Sequence, residues 1–182
     1  MNLDDLVGGW FSPENRATLG VLIQEHQIES VIEIGSFLGL SAIWFAQRVH
    51  RIQCVDPWLE EATEPDNNNL VSTMQRFGVP RDFLRVFLHN IMEFGVAHKV
   101  TPIVGKSQDV HMYVVNADLV YIDGDHSYDG CKRDIELYGP KAKKIICGDD
   151  YVEREGFGVI EAVRELLPDV QNVGPVWWWR VK

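Results

Sequence analysis

Short apolar runs alternate along the chain with stretches whose apolar residues recur at helical spacing. Val31–Ile34, Ile52–Val55, Val100–Val104, Asp118–Ile122 and Lys144–Cys147 read as strands, with two more near Asp169–Val173 and Val176–Val181. Between them, Leu40–Val49 places Ala42, Ile43, Phe45, Ala46 and Val49 on one helical face, and Arg81–Phe94, Asp129–Leu137 and Val159–Leu167 also read as helices. Ser12-Pro13-Glu14 predicts an N-terminal helix with Ser12 as N-cap and Pro13 at the first helical position. Strands that alternate with helices imply a parallel sheet with crossover helices, an α/β fold.

No repeat or linker interrupts the pattern, so residues 1–182 read as one domain, with 1–29 an N-terminal helical segment and 57–98 an insertion or lid followed by a helix. Within that stretch, Pro57 to Pro80 is rich in Asp, Glu and Asn, including Asn67 to Asn69, and predicts a loop carrying one short helix. Near the end, Trp177, Trp178 and Trp179 should alternate between the two faces of a strand, which suits core packing between helices.

The balance of 17 Lys plus Arg against 27 Asp plus Glu gives a formal charge of -10, a poor match for a phosphate backbone. Nucleic acid is therefore not an expected partner. Cys54, Cys131 and Cys147 form no C-x-x-C pair, which disfavours a disulfide framework or a cysteine zinc site and fits a reducing, cytoplasmic setting. The start MNLDDLVGGWF lacks a signal peptide's basic and apolar regions, and no run has the length of a membrane span, so no membrane association is expected.

Candidate chemistry gathers where strands end. Glu33-Ile34-Gly35-Ser36-Phe37-Leu38-Gly39 lies at a strand-to-helix turn: Gly35 can adopt backbone angles closed to other residues, Gly39 lets the turn approach a ligand, and the helix start offers free N–H groups. Phe37 and Leu40 occupy the second and third glycine positions of the dinucleotide pattern, so NAD is disfavoured. Asp56 follows the second strand at the distance where doubly wound folds place an acid on a ribose diol; opening a turn before Pro57 is its alternative use.

A second group comprises Asp123, Asp125 and His126 after one strand and Asp149 and Asp150 after another. Carboxylates converging at one sheet edge repel unless a cation lies between them, and Mg²⁺, Mn²⁺ and Ca²⁺ all qualify; solvated loop caps are the plainer reading. Gly148 would let the backbone turn so that both neighbouring acids reach one ion. An EF-hand is excluded because Tyr128 holds the obligatory glycine position, and a P-loop because Val100 stands where its first glycine belongs.

These residues resemble the class I S-adenosylmethionine-dependent methyltransferases, specifically small metal-dependent O-methyltransferases related to catechol and macrolide-sugar methyltransferases. The likeness runs from about Val31 to Tyr151 and is strongest in Asp118-Leu-Val-Tyr-Ile-Asp-Gly-Asp-His-Ser-Tyr-Asp-Gly and in Gly148-Asp-Asp-Tyr. It implies a Rossmann-like, doubly wound, mostly parallel sheet of seven strands with an antiparallel last strand. It also implies that Glu33, Gly35, Ser36, Phe37, Gly39 and Ser41 hold the amino acid part of S-adenosylmethionine, Asp56 its ribose, and Lys106 and Ser107 its adenine, with Asp123 beside the cofactor. Asp123, Asp149 and Asp150 would ligate a divalent ion, and His126 stands where the catechol enzymes carry a lysine and the sugar-modifying relatives a histidine. Lys143-Lys144 replaces the Gly-Gly often found before the strand leading to the metal acids.

The implied reaction is methyl transfer to a small hydroxylated molecule of sugar or phenol type, with His126 as general base and Asp123 at the catalytic centre. A non-catalytic nucleoside-binding or assembly module is the competing reading, and homo-oligomerisation stays open.

Overall fold

The central strands are apolar at nearly every position, so both of their faces must be covered, the condition under which parallel sheets form. The computed structural model describes residues 7, 9–59 and 82–182. Among these, β1 (Ser30–Ile34), β2 (Arg51–Asp56), β3 (Val100–Val104), β4 (Ala117–Ile122), β5 (Ala142–Gly148), β6 (Gln171–Val173) and β7 (Val176–Arg180) form one sheet in the order β3-β2-β1-β4-β5-β7-β6. The first five run parallel, and β7 runs antiparallel to both β5 and β6. The expected doubly wound, seven-stranded sheet is thus the observed one.

The helices are α1 (Pro13–Glu25), α2 (Leu40–Ala46), α3 (Phe83–Glu93), α4 (Ser107–Val110), α5 (Tyr128–Tyr138) and α6 (Val159–Leu166). α1 starts as its sequence predicts, with the Ser12 hydroxyl accepting the Asn15 N–H at 3.1 Å. α2 is shorter than its periodicity suggests: the N–H groups of Arg48 and Val49 both turn back to the Phe45 carbonyl, because β2 begins at Arg51. The single turn of α4 is too short to leave a periodic signature. The last hairpin starts later than expected, since Asp169 takes a left-handed φ of 61° and holds the chain in a turn. Of the predicted 57–80 loop, residues 60–80 lie outside the described residues.

Helices cover the two faces of the sheet separately. On one side Leu19, Leu22, Ile43, Phe45 and Phe87 pack with Tyr121 of β4; on the other, Ile135, Ala162 and Val163 pack with Val120 and Trp177. Each large apolar side chain buried in this way contributes roughly 1.5–3 kcal/mol. The tryptophans divide as alternation requires, Trp177 and Trp179 with the second cluster and Trp178 with the first.

The edge of the sheet where β1 and β4 begin is tied by Asp118. Its carboxylate accepts the N–H of Glu29 at 2.9 Å and both the N–H and the hydroxyl of Ser30 at 3.1 Å. Lys144, one of the two lysines replacing Gly-Gly, donates to the carbonyls of His26 and Gln27 just past α1. Both residues anchor the edge remote from the candidate chemistry.

Candidate active site

The strand order reverses between β1 and β4, and open α/β sheets bind ligands at the carboxyl ends of strands beside such a switch. Register fixes what meets there. Ile34 pairs with Val55 and with Ile122, and Ile122 pairs with Gly148. The next residues, Gly35, Asp56, Asp123 and Asp149, therefore fall side by side along one edge.

Gly35 has φ 88°, and a Cβ there would collide with the Asp123 carbonyl, so this glycine lets the turn after β1 lie against the backbone after β4. Gly39 also has a left-handed φ of 93°, but a Cβ there would meet the Phe87 ring at 3.0 Å. Its missing side chain makes room for packing against α3. Phe37, between them, takes φ 44° and is held by its N–H to Asp56 Oδ2 (2.9 Å) and its carbonyl to the Trp58 indole (2.7 Å). The other Asp56 oxygen accepts the Trp58 N–H at 2.6 Å. Asp56 thus both opens its own turn and fixes the β1–α2 turn, with the Ser36 backbone also contributing to holding its charge. Burial raises its pKa, opposed by these backbone bonds.

Glu33 is fully buried in β1, and Ser36 donates its hydroxyl to Oε2 at 2.5 Å. Oε1 makes no geometric hydrogen bond among the described residues, while Ser41 and Cys54, with Ser36, favour the charged form of the carboxyl. Burial pushes the pKa of Glu33 up to about 7. A buried carboxylate with an unused oxygen beside a glycine turn suits a cationic ammonium, the group by which the amino acid part of S-adenosylmethionine would be held. Lys106 is the N-cap of α4, and Ser107 donates to the buried Asp134 at 2.5 Å, while the Ser107 carbonyl accepts the Tyr138 hydroxyl at 2.8 Å.

At the β4 and β5 ends, His126 Nε2 lies 2.9 Å from Asp150 Oδ2 and 3.7 Å from Asp123 Oδ1. One ligand-capable atom from each of these three residues lies within 4.8 Å of the others, a donor set that suits a divalent ion. Asp149 stands beside them, its Oδ1 accepting the Asp150 N–H at 2.8 Å and its Oδ2 the Asn15 side-chain N–H. Asp150, not Gly148, carries the left-handed turn, with φ 58°. Gly148 is needed because a Cβ there would meet the Ile122 carbonyl and stand 2.6 Å from the Trp177 ring.

Burial alone would lower the His126 pKa, but its bonds to Asp123 and Asp150 outweigh that and push it up to about 11. Asp123 is pushed up to about 8 by burial and by repulsion from Asp149 and Asp150, against the lowering effect of His126. The Tyr121 hydroxyl, at 3.3 Å, also reaches Asp123. Phe157 stacks on the His126 ring with centroids 4.8 Å apart, and the Gly158 N–H donates to the His126 carbonyl at 2.8 Å. Phe157 also lines an open cleft of about 680 Å³ with Val152, Arg154 and Arg164.

Sequence reasoning missed Asn15, Trp58 as a partner of Phe37, and Phe157. Asn15 and Phe157 reach the site only through tertiary packing, and only Trp58, two residues past Asp56, had a local signal in the Asp-Pro turn.

A methyltransferase domain family model matches residues 32–151, and the chain belongs to that family. No curated protein sequence matches it. Among solved structures, the O-methyltransferase TomG from Streptomyces achromogenes, in complex with S-adenosylmethionine, has 19% identity and a TM-score of 0.64, covering 98% of this chain and 83% of that one. An O-methyltransferase from Bacillus cereus in complex with S-adenosylhomocysteine gives 19% and 0.64, covering 98% and 85%. TDP-rhamnose 3′-O-methyltransferase of calicheamicin biosynthesis gives 16% and 0.60, covering 93% and 81%. The fold is the one shared with those methyltransferase structures, and the protein carries a methyltransferase domain. Among the described residues, no helix is long and apolar enough to cross a membrane.

Proposed function

We propose that the protein transfers a methyl group from S-adenosylmethionine to a hydroxyl oxygen of a small molecule of sugar or phenol type, at a site that also takes a divalent cation. The observation that carries this reading is the meeting of Asp123, His126 and Asp150 beside the Gly35 turn. Similarity in fold to the O-methyltransferases named above supports it.

In this reading Glu33 takes the cofactor's ammonium, Asp56 its ribose, and the Lys106-Ser107 segment its adenine, with Ser36, Phe37 and Ser41 shaping the turn around them. The acceptor enters by the cleft beside Phe157. Its oxygen forms a bond to the methyl carbon as the carbon–sulfur bond breaks, leaving S-adenosylhomocysteine, and the hydroxyl proton passes to His126 and then to solvent. Because the sulfonium carbon is already electrophilic, alignment is the protein's main task and lowers the barrier by roughly 7–11 kcal/mol in well-oriented systems. Asp123, Asp149 and Asp150 would hold the divalent ion, which would supply positive charge to lower the acceptor hydroxyl's pKa and to offset the carboxylate charge that keeps the imidazole protonated.

The test is transfer of labelled methyl to a library of hydroxylated compounds, with Mg²⁺ and with a chelator. Turnover that requires the ion is the expected result; cofactor binding without transfer to any compound would favour the binding-module reading. His126→Ala should slow turnover by roughly 10²–10⁴-fold, and an unchanged rate would remove His126 as the base.

A further inference from the structure

Asp134, in the middle of α5, is a carboxylic acid of only 1% exposure, and methyl transfer itself gives it no task. It is held against the segment that follows β3. The Ser107 hydroxyl donates to its Oδ1 at 2.5 Å, and Tyr138, one turn further along α5, donates its own hydroxyl to the Ser107 carbonyl at 2.8 Å, so Ser107 is fixed at two points. On the far side of Asp134, a Cβ at Gly124 would stand 3.4 Å from Oδ2, which puts the acid between Ser107 and the loop that starts at Asp123. Gly105, two residues before Ser107, donates its N–H to the Asp56 carbonyl at 3.1 Å, so Ser107 belongs to the same sheet edge as the acid proposed for the ribose. Unlike Asp134, Ser107 is partly exposed there.

A hydroxyl has one proton to give and two lone pairs to offer. Burial pushes the Asp134 pKa up to about 6, opposed by the Ser107 bond and by Arg133 and reinforced by Asp125, so at pH 8 the group is ionised and can only accept. The Ser107 proton is therefore taken up by Asp134, and its oxygen has only lone pairs left for a ligand. We propose that Asp134 is a positioning residue that sets the hydrogen-bonding sense of Ser107, making it an acceptor for the 6-amino group of adenine and a poor neighbour for a 6-oxo purine. This rests on the placement of the cofactor's adenine at Lys106-Ser107 in the proposed function and deepens it: a buried acid that touches no ligand decides which purine is read.

Calorimetric titration of the full chain at pH 8 provides the test, with S-adenosylhomocysteine and with S-inosylhomocysteine, in which a 6-oxo group replaces the 6-amino group. The two share their ribose and amino acid parts, so the ratio of their Kd values isolates the purine. Wild type should prefer the amino form by at least about 10-fold, because a 6-oxo group facing the Ser107 oxygen leaves two acceptors unpaired. In D134A the Ser107 hydroxyl can turn its proton toward the ligand. The 6-oxo form should then bind more tightly than it does to wild type, and the preference should fall about 10-fold. A residue that merely braced α5 against α4 would weaken both ligands alike, so a ratio within about 3-fold of wild type overturns the inference. If circular dichroism shows D134A unfolded, D134L fills the space without an acceptor and is read in the same way. S107A should also remove the preference; its retention would place the discrimination elsewhere and overturn the inference. Equal binding of both ligands by wild type would overturn the inference alone, whereas a wild type that bound neither would remove S-adenosylmethionine from the proposed function as well.

Discussion

Glu33 gives a sharp test of how the turn after β1 is built. The carboxyl is wholly buried, Ser36 gives it one neutral hydrogen bond, and burial raises its pKa from 4.5 to about 7. A group whose folded pKa exceeds its unfolded value stabilises the fold fully below the unfolded pKa, and that stabilisation is lost as pH rises through the folded one. The rise corresponds to roughly 3 kcal/mol in total, of which about 2 kcal/mol falls between about pH 5.5 and 8.5. Glu33→Gln keeps an oxygen to accept from Ser36 and removes the titration. Urea denaturation of both proteins across that range should therefore show wild type losing about 2 kcal/mol relative to the variant as pH rises, with other titrating groups cancelling in the difference. A difference that stays flat within about 0.5 kcal/mol would refute the argument, because Glu33 would then titrate alike in the folded and unfolded chain. Binding of a cation to Glu33 favours its ionised form, so S-adenosylmethionine affinity should tighten as pH rises toward 7 in wild type and not in the variant.

Two further substitutions probe the frame around the site. Gly148→Ala places a methyl against the Ile122 carbonyl and 2.6 Å from the Trp177 ring, and should cost about 1–3 kcal/mol in urea denaturation; unchanged stability would show that β7 can move away from β5 freely. Asp118→Ala strands the N–H groups of Glu29 and Ser30 and should cost roughly 2–4 kcal/mol near neutral pH. Burial opposes the Asp118 charge, but its hydrogen bonds and Lys144 outweigh that and lower its pKa, so the stability it contributes is present above its unfolded pKa of 3.8 and is lost as pH falls through the folded one. The deficit of the variant should shrink in acid, and a deficit that does not change with pH would locate it in packing instead.

The sequence by itself determined the strands, their alternation with helices and hence the parallel sheet, because each depends on periodicities local to ten residues or so. It also determined which acids stand at strand ends, since Asp56 and Asp123 each follow an apolar run directly and Asp149 follows one after a single glycine. Only the tertiary structure decided how those acids are used. Gly35 and Gly39 look alike in the sequence, yet one makes room for the Asp123 backbone and the other for the Phe87 ring. Asp149 and Asp150 are identical neighbours, yet one is bound to Asn15, 134 positions away, and the other faces His126. Pairing register places side chains from distant segments within hydrogen-bond reach, and a local pattern carries no information about which distant residue will arrive.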